Sequence, residues 1–142
     1  MRKIQGFTLI ELMVTIAVLA IIAGMAAPSF TKQIRKNQLQ NAAHEVMLAA
    51  SETRSEAVLR KSDKTLSLVS SLTGGDKSWL PSEHVAWTTT PTALLKYNYF
   101  GYLLGGTNQC FVLEHAKDST LKAVIRFNTN GSVVYKKDQT AC

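Results

Sequence analysis

Reactive chemistry is scarce in this sequence. Its 142 residues hold two cysteines, Cys110 and Cys142, and three histidines, His44, His84 and His115, far apart along the chain. No CxxC or HxxxH spacing accompanies them, so a metal signature is missing. There is no G-x-S-x-G turn, no phosphate-binding loop and no pair of carboxylates placed on adjacent strands. Gly74-Gly75 and Gly105-Gly106 read as turns, outside the strand–glycine–helix setting of a phosphate cradle. The sequence points to neither an enzyme nor a cofactor. Charge is also thin, at 18% of residues, with a net +6. Without Arg2 and Lys3 the balance is 14 basic against 10 acidic side chains, a surplus that permits an acidic partner but is explained equally by solubility.

What the sequence does have is a long apolar run near its start. From Phe7 to Phe30 only Thr8, Glu11, Thr15 and Ser29 are clearly polar. As a helix those 24 residues would cross a bilayer core of about 30 Å. Glu11 is the contradiction, since a carboxylate inside lipid is costly and implies a task. A cleaved secretory signal would have a shorter, uncharged core; Ala26-Ala27-Pro28 only loosely mimics its cut, and proline is unfavourable beside a scissile bond. A plain anchor leaves Glu11 unexplained. The flanking cations, Arg2 and Lys3 before the run and Lys32, Arg35 and Lys36 after it, are too even to set orientation.

The segment Gly6-Phe7-Thr8-Leu9-Ile10-Glu11-Leu12 resembles the class III signal of type IV pilins and type II secretion pseudopilins. The resemblance implies cleavage by a prepilin peptidase between Gly6 and Phe7, with Phe7 becoming the N-methylated first residue. The new ammonium at Phe7 would give Glu11 a partner in a neighbouring subunit. A buried ion pair is tolerable where a lone buried charge is not, so Glu11 would set register during assembly. Pro28 removes a helix donor and is expected either to kink or locally melt the rod, or to mark the helix end at the membrane surface.

Beyond Pro28 the pattern becomes amphipathic. Leu39, Ala42, Ala43, Val46, Ala49 or Ala50, Thr53 and Ala57 recur every three or four residues. Glu45, Glu52, Glu56 and Arg60 fall on the other side, with Glu56 and Arg60 at pairing distance along a helix. One helix from Phe7 to about Lys61, roughly 80 Å long, is the expectation. Thr53-Arg54-Ser55-Glu56-Ala57-Val58-Leu59-Arg60 and Ala26-Ala27-Pro28-Ser29-Phe30 resemble the GspH/FimT group of minor pilins and pseudopilins. Gln38 stands where that group usually has arginine. Arg54, Glu56 and Arg60 are read either as a solvated face or as a contact site.

After Lys61 short β-rich runs follow at Thr65–Ser70, His84–Thr90, Leu95–Leu103, Gln109–Glu114, Leu121–Asn128 and Ser132–Lys136. Glycine, proline and asparagine turns separate them, and Asn130-Gly131 signals a hairpin. Strands without intervening helices predict an antiparallel sheet. The fold class expected is α+β: a long N-terminal helix, its first half hydrophobic and its second amphipathic, packed on an antiparallel sheet as in pilins. Trp79, Trp87, Tyr97, Tyr99, Phe111, Val124 and Phe127 are the core or half-buried candidates. Cys110 and Cys142 pair if this part lies outside the cytoplasm and are free thiols if it lies inside; a bridge would contribute roughly 3–4 kcal/mol by restricting the unfolded chain.

The expected layout is a cleaved leader at 1–6, a transmembrane or filament-core helix at 7–30, an amphipathic helix at 31–61 and a periplasmic sheet domain at 62–142. The resemblance implies residence in the bacterial inner membrane as a single pass, amino terminus cytoplasmic, before entry into a pilus or secretion pseudopilus at or near its tip. Its partners would be other pilins or pseudopilins, the peptidase and the membrane. Some members of the group resemble DNA receptors for natural transformation. Here Lys122 and Arg126 share one strand face, and Lys136 and Lys137 lie near it, a patch suited to phosphates without base readout. Ser132 replaces the arginine that often follows the hairpin glycine in such members. A basic edge deterring strand addition is the other reading.

Overall fold

The structure, a computed structural model, describes residues 7–71, 74–136 and 139–142, and the side chains at 25–28 lie outside that description. Helix α1, Leu9–Arg60, begins where Thr8 Oγ1 accepts the Glu11 amide at 3.3 Å, the side-chain cap of a T-x-x-E start. It runs through Pro28, so the helix does not end there. It stops at Lys61, which takes the left-handed φ of 49°, and Ser62 N closes back on Ala57 O at 3.2 Å.

The chain divides into two compact units, Met1–Ile34 and Arg35–Cys142, a few residues beyond the boundary expected at Phe30. In the first unit the described apolar side chains of α1 are exposed all round. In the second, Leu39, Ala42, Ala43, Val46, Ala49, Ala50, Thr53 and Ala57 are buried, the stripe expected from the spacing. Small alanines let this face approach the strands closely. The Thr53 hydroxyl is satisfied within the helix by Ala49 O at 2.7 Å.

Among the described residues seven strands follow: β1 Lys64–Ser67, β2 Lys77–Ser78, β3 Val85–Trp87, β4 Leu95–Tyr97, β5 Gln109–His115, β6 Asp118–Phe127 and β7 Val133–Lys136. They form two sheets instead of the one expected, ordered β2-β1-β4 and β3-β5-β6-β7. The four-stranded sheet is antiparallel throughout, whereas β1 and β2 pair in parallel. The two-residue β2 is too short for any periodicity to announce it. Asp76 makes it possible by accepting hydrogen bonds from Lys64 Nζ at 2.8 Å and from the Thr65 amide and hydroxyl at 2.9 and 2.8 Å. The bonds from Lys64 and Thr65 hold its carboxyl well below the usual carboxylate range.

Leu66, Leu68, Leu95, Tyr97, Leu113, Ala123, Ile125 and Phe127 meet the helix stripe in one core. Trp79, Trp87, Phe111 and Phe127 continue it as rings 5.6–5.9 Å apart, edge to face. Tyr99 departs from its expected place. Strand β4 stops at Tyr97 because Asn98 starts a turn, its side chain accepting the amides of Phe100 and Tyr102 at 3.1 and 2.9 Å, and Gly101 takes φ 84°. Tyr99 is thereby turned out into solvent.

Candidate functional site

Gly6 lies outside the described residues, as does Lys137. Phe7 and Glu11 are exposed at the start of α1. Glu11 sits in the first helical turn, where the positive end of the helix dipole favours a carboxylate. Its residue type therefore has a local use as well as the assembly use inferred from the signal. The T-x-x-E pattern carrying that use is visible in the sequence at Thr8–Glu11.

The basic candidates lie on one sheet face. Across β5 and β6, Lys122 stands opposite Glu114 and Arg126 opposite Cys110; across β6 and β7, Val124 stands opposite Lys136. Directly opposed residues share a face, so Lys136 lies diagonal to both Lys122 and Arg126. Glu114 is on that face too and offsets part of the charge. Cys110 is bonded there to Cys142, with Cα atoms 5.9 Å apart, which brings the end of the chain onto the same surface. Gln139 and Thr140 border a depression with Lys122 and Tyr135. Val124, although it points away from the helix side of the sheet, is fully buried. Lys122 and Arg126 are half-buried and Lys136 is exposed.

Two residues of the GspH/FimT-like pattern prove to be internal fasteners. Arg54 is half-buried, and its Nε donates to Gly101 O at 2.9 Å. Gly131, at φ 81°, packs so tightly that a Cβ there would collide with Gly101 O and with Arg54 Nε. Arg54 thus links the helix to two turns at once, which neither the solvated-face nor the contact-site reading anticipated. Gln38, at the position that departs from the pattern, bonds His115 Nε2 through Oε1 at 3.0 Å. The Lys117 amide donates to His115 Nδ1 at 3.1 Å, so Nε2 carries the proton. Burial, followed by the charge of Arg35, lowers the pKa of His115, which is only 2% exposed. Among the described residues no three histidine, cysteine, aspartate or glutamate side chains gather as a metal site.

Set beside known proteins, residues 1–27 match the family described as the prokaryotic N-terminal methylation motif. That motif and the fold make this a type IV pilin-like chain. It is 42% identical over 59 residues to the type IV major alpha-pilin of Moraxella bovis and 39% identical over 59 residues to fimbrial protein EcpB of Eikenella corrodens. Each alignment takes in 42% of this chain and 36% of the relative's length. Two crystal forms of the type IV minor pilin FimU of Pseudomonas aeruginosa share its fold, with TM-scores of 0.52 and 0.56 at 17% identity. They cover 69% and 78% of this chain and 92% and 93% of FimU. The fold, one long N-terminal helix on an antiparallel-rich sheet, is the expected one.

Proposed function

We propose that this chain is a minor pilin or pseudopilin of the GspH/FimT group, a subunit of a type IV pilus or type II secretion pseudopilus that supports assembly at or near the tip. In this reading residues 1–6 are cut off by a prepilin peptidase and Phe7 is N-methylated. Residues 7–30 span the inner membrane and then enter the filament core, residues 31–61 carry the helix onward, and residues 62–142 are the periplasmic domain. Glu11 meets the Phe7 ammonium of a neighbouring subunit. The observation carrying the reading is an N-terminal methylation motif leading into a helix whose apolar side chains are exposed all round. An 18-residue window of that helix has mean hydropathy 2.5 and contains no buried residue. Mass spectrometry of the chain from cells with a prepilin peptidase should find an amino terminus at N-methyl-Phe7, and sheared filaments should contain the chain. An uncut chain confined to membranes overturns the proposal. Strains lacking the protein, assayed for motility, secretion and transformation, distinguish pilus from pseudopilus.

A second reading, DNA capture for natural transformation, draws on the placement of Lys136 diagonal to Lys122 and Arg126. It predicts a steeply salt-dependent shift of DNA by the protein. The double substitution Lys136→Ala/Lys137→Ala should abolish that shift, and an unchanged shift removes this face from consideration.

A further inference from the structure

Arg54 is held at one edge and open at the other. Its Nε–H is committed to Gly101 O, and among the described residues this is its only hydrogen bond and it enters no ion pair. A guanidinium carries five donors in a rigid planar fork, so both terminal nitrogens remain available. Arg54 borders two open depressions, one of about 350 Å³ with Ser51, Ser55, Val58 and Leu59, the other of about 290 Å³ with Met47, Gly131, Ser132 and Val133. It is the single charged residue lining either.

The surroundings are apolar and uncovered. Leu59 is 82% exposed at the rim. The turn seated on Arg54 and Val58 through Gly101 exposes Tyr99 and Phe100, at 49% and 64%. Large apolar side chains grouped around one fixed cation are the makings of a protein contact with a central charged anchor. A single guanidinium matches a carboxylate in a two-bond fork, whereas a nucleic-acid backbone calls for several cations in a row. The net charge of +6 disfavours a second copy of this chain.

We propose that this face receives an acidic side chain with apolar neighbours from a different pilin-like subunit. The inference rests on the filament-subunit reading above. It adds a second contact, carried by the Arg35–Cys142 unit, to the one made by the N-terminal helix.

The test uses the full chain in its own cells, with the photo-crosslinker p-benzoylphenylalanine in place of Leu59 and the crosslinked peptide sequenced by mass spectrometry. The expected adduct is a different pilin-like chain, joined at a segment that contains Asp or Glu. Ser55→Asp sets a carboxylate beside Arg54 without touching the Gly101 bond; it should cut the adduct at least about tenfold while tryptophan fluorescence melting stays unchanged. Adducts with lipid, nucleic acid or another copy of this chain overturn the inference. So does an adduct indifferent to Ser55→Asp, or no adduct in a chain that enters filaments normally, which leaves the filament reading standing. An uncut chain missing from filaments defeats both.

Discussion

From Leu9 to Ile34 the apolar side chains of α1 described by the structure point into open surroundings, whereas from Leu39 to Ala57 the same helix buries one stripe completely. Backbone conformation is identical in the two stretches, so helicity does not account for the difference. The second stretch has an alanine-rich stripe and a sheet from its own chain to receive it. The first is rich in leucine, isoleucine and valine on every side, and each such residue would contribute roughly 1.5–3 kcal/mol if buried. A helix apolar all round needs an apolar environment or other copies of its kind around it. One unit completes itself within the chain; the other is completed from outside.

The largest effect should come from the unit that depends on its surroundings. Glu11→Ala removes one member of the proposed pair with the Phe7 ammonium. Deleting one partner of a buried ion pair costs about 3–5 kcal/mol, so the chain's share in sheared filaments should fall at least about tenfold at equal cellular levels. The helix cap at Thr8 loses little by comparison, because its hydrogen bond goes to the Glu11 amide. Incorporation at normal levels would leave Glu11 with only its local role at the helix start.

Gly131→Ala probes the self-contained unit. Alanine at φ 81° is strained, and its Cβ would displace Gly101 O or Arg54. A loss of roughly 2–4 kcal/mol is expected. Trp79 and Trp87 both lie in the Arg35–Cys142 unit, so their fluorescence during urea unfolding of the detergent-solubilised chain reads this unit alone. Wild-type stability in Gly131→Ala would mean that the fastening by Arg54 is slack.

Much of this contrast was legible in the sequence. The helix stripe from Leu39 to Ala57 emerged residue by residue, because alanine, valine and leucine at helical spacing have one good solution. Six of the seven strands were located, since β-branched runs between turn residues are local signals. Strand β2 was not, because two residues joined through Asp76 to Thr65 have no period of their own. The Leu95–Leu103 run read as a single strand although it breaks at Asn98, whose side chain captures two amides. Arg54 read as a surface residue because its acceptor, Gly101 O, is 47 positions away. The pairing of Gln38 with His115 spans 77 positions and left no mark in the sequence.

That pair gives the self-contained unit a pH dependence of its own. His115 is buried neutral, with Arg35, Lys117 and His84 opposing its protonation and Asp118 favouring it. Its folded pKa lies below the ordinary 6.5, so the unfolded chain takes up the proton first. Stability contributed by neutral His115 is therefore intact above about pH 6.5 and is lost as pH falls from there through the folded pKa. Urea midpoints between pH 8 and 5 should decline for the wild type. His115→Gln should flatten that decline whatever it does to stability at pH 8. An equal decline in both proteins would assign the effect to other groups.

The smallest change asks whether everything inside the Arg35–Cys142 unit is there for stability. Tyr97 is fully buried, and among the described residues its hydroxyl is the buried side-chain polar atom without a hydrogen-bond partner. Burial pushes the phenol up to about 12, against the opposing charge of Arg54. An unpaired buried hydroxyl costs about 1–3 kcal/mol of desolvation, of which phenylalanine is free. Tyr97→Phe keeps the ring and its packing, so the urea midpoint should stay level or rise by the equivalent of about 1 kcal/mol. A fall of more than about 1 kcal/mol would mean that the hydroxyl has a partner in solution, and the nearby Arg54 fork would be the first place to look.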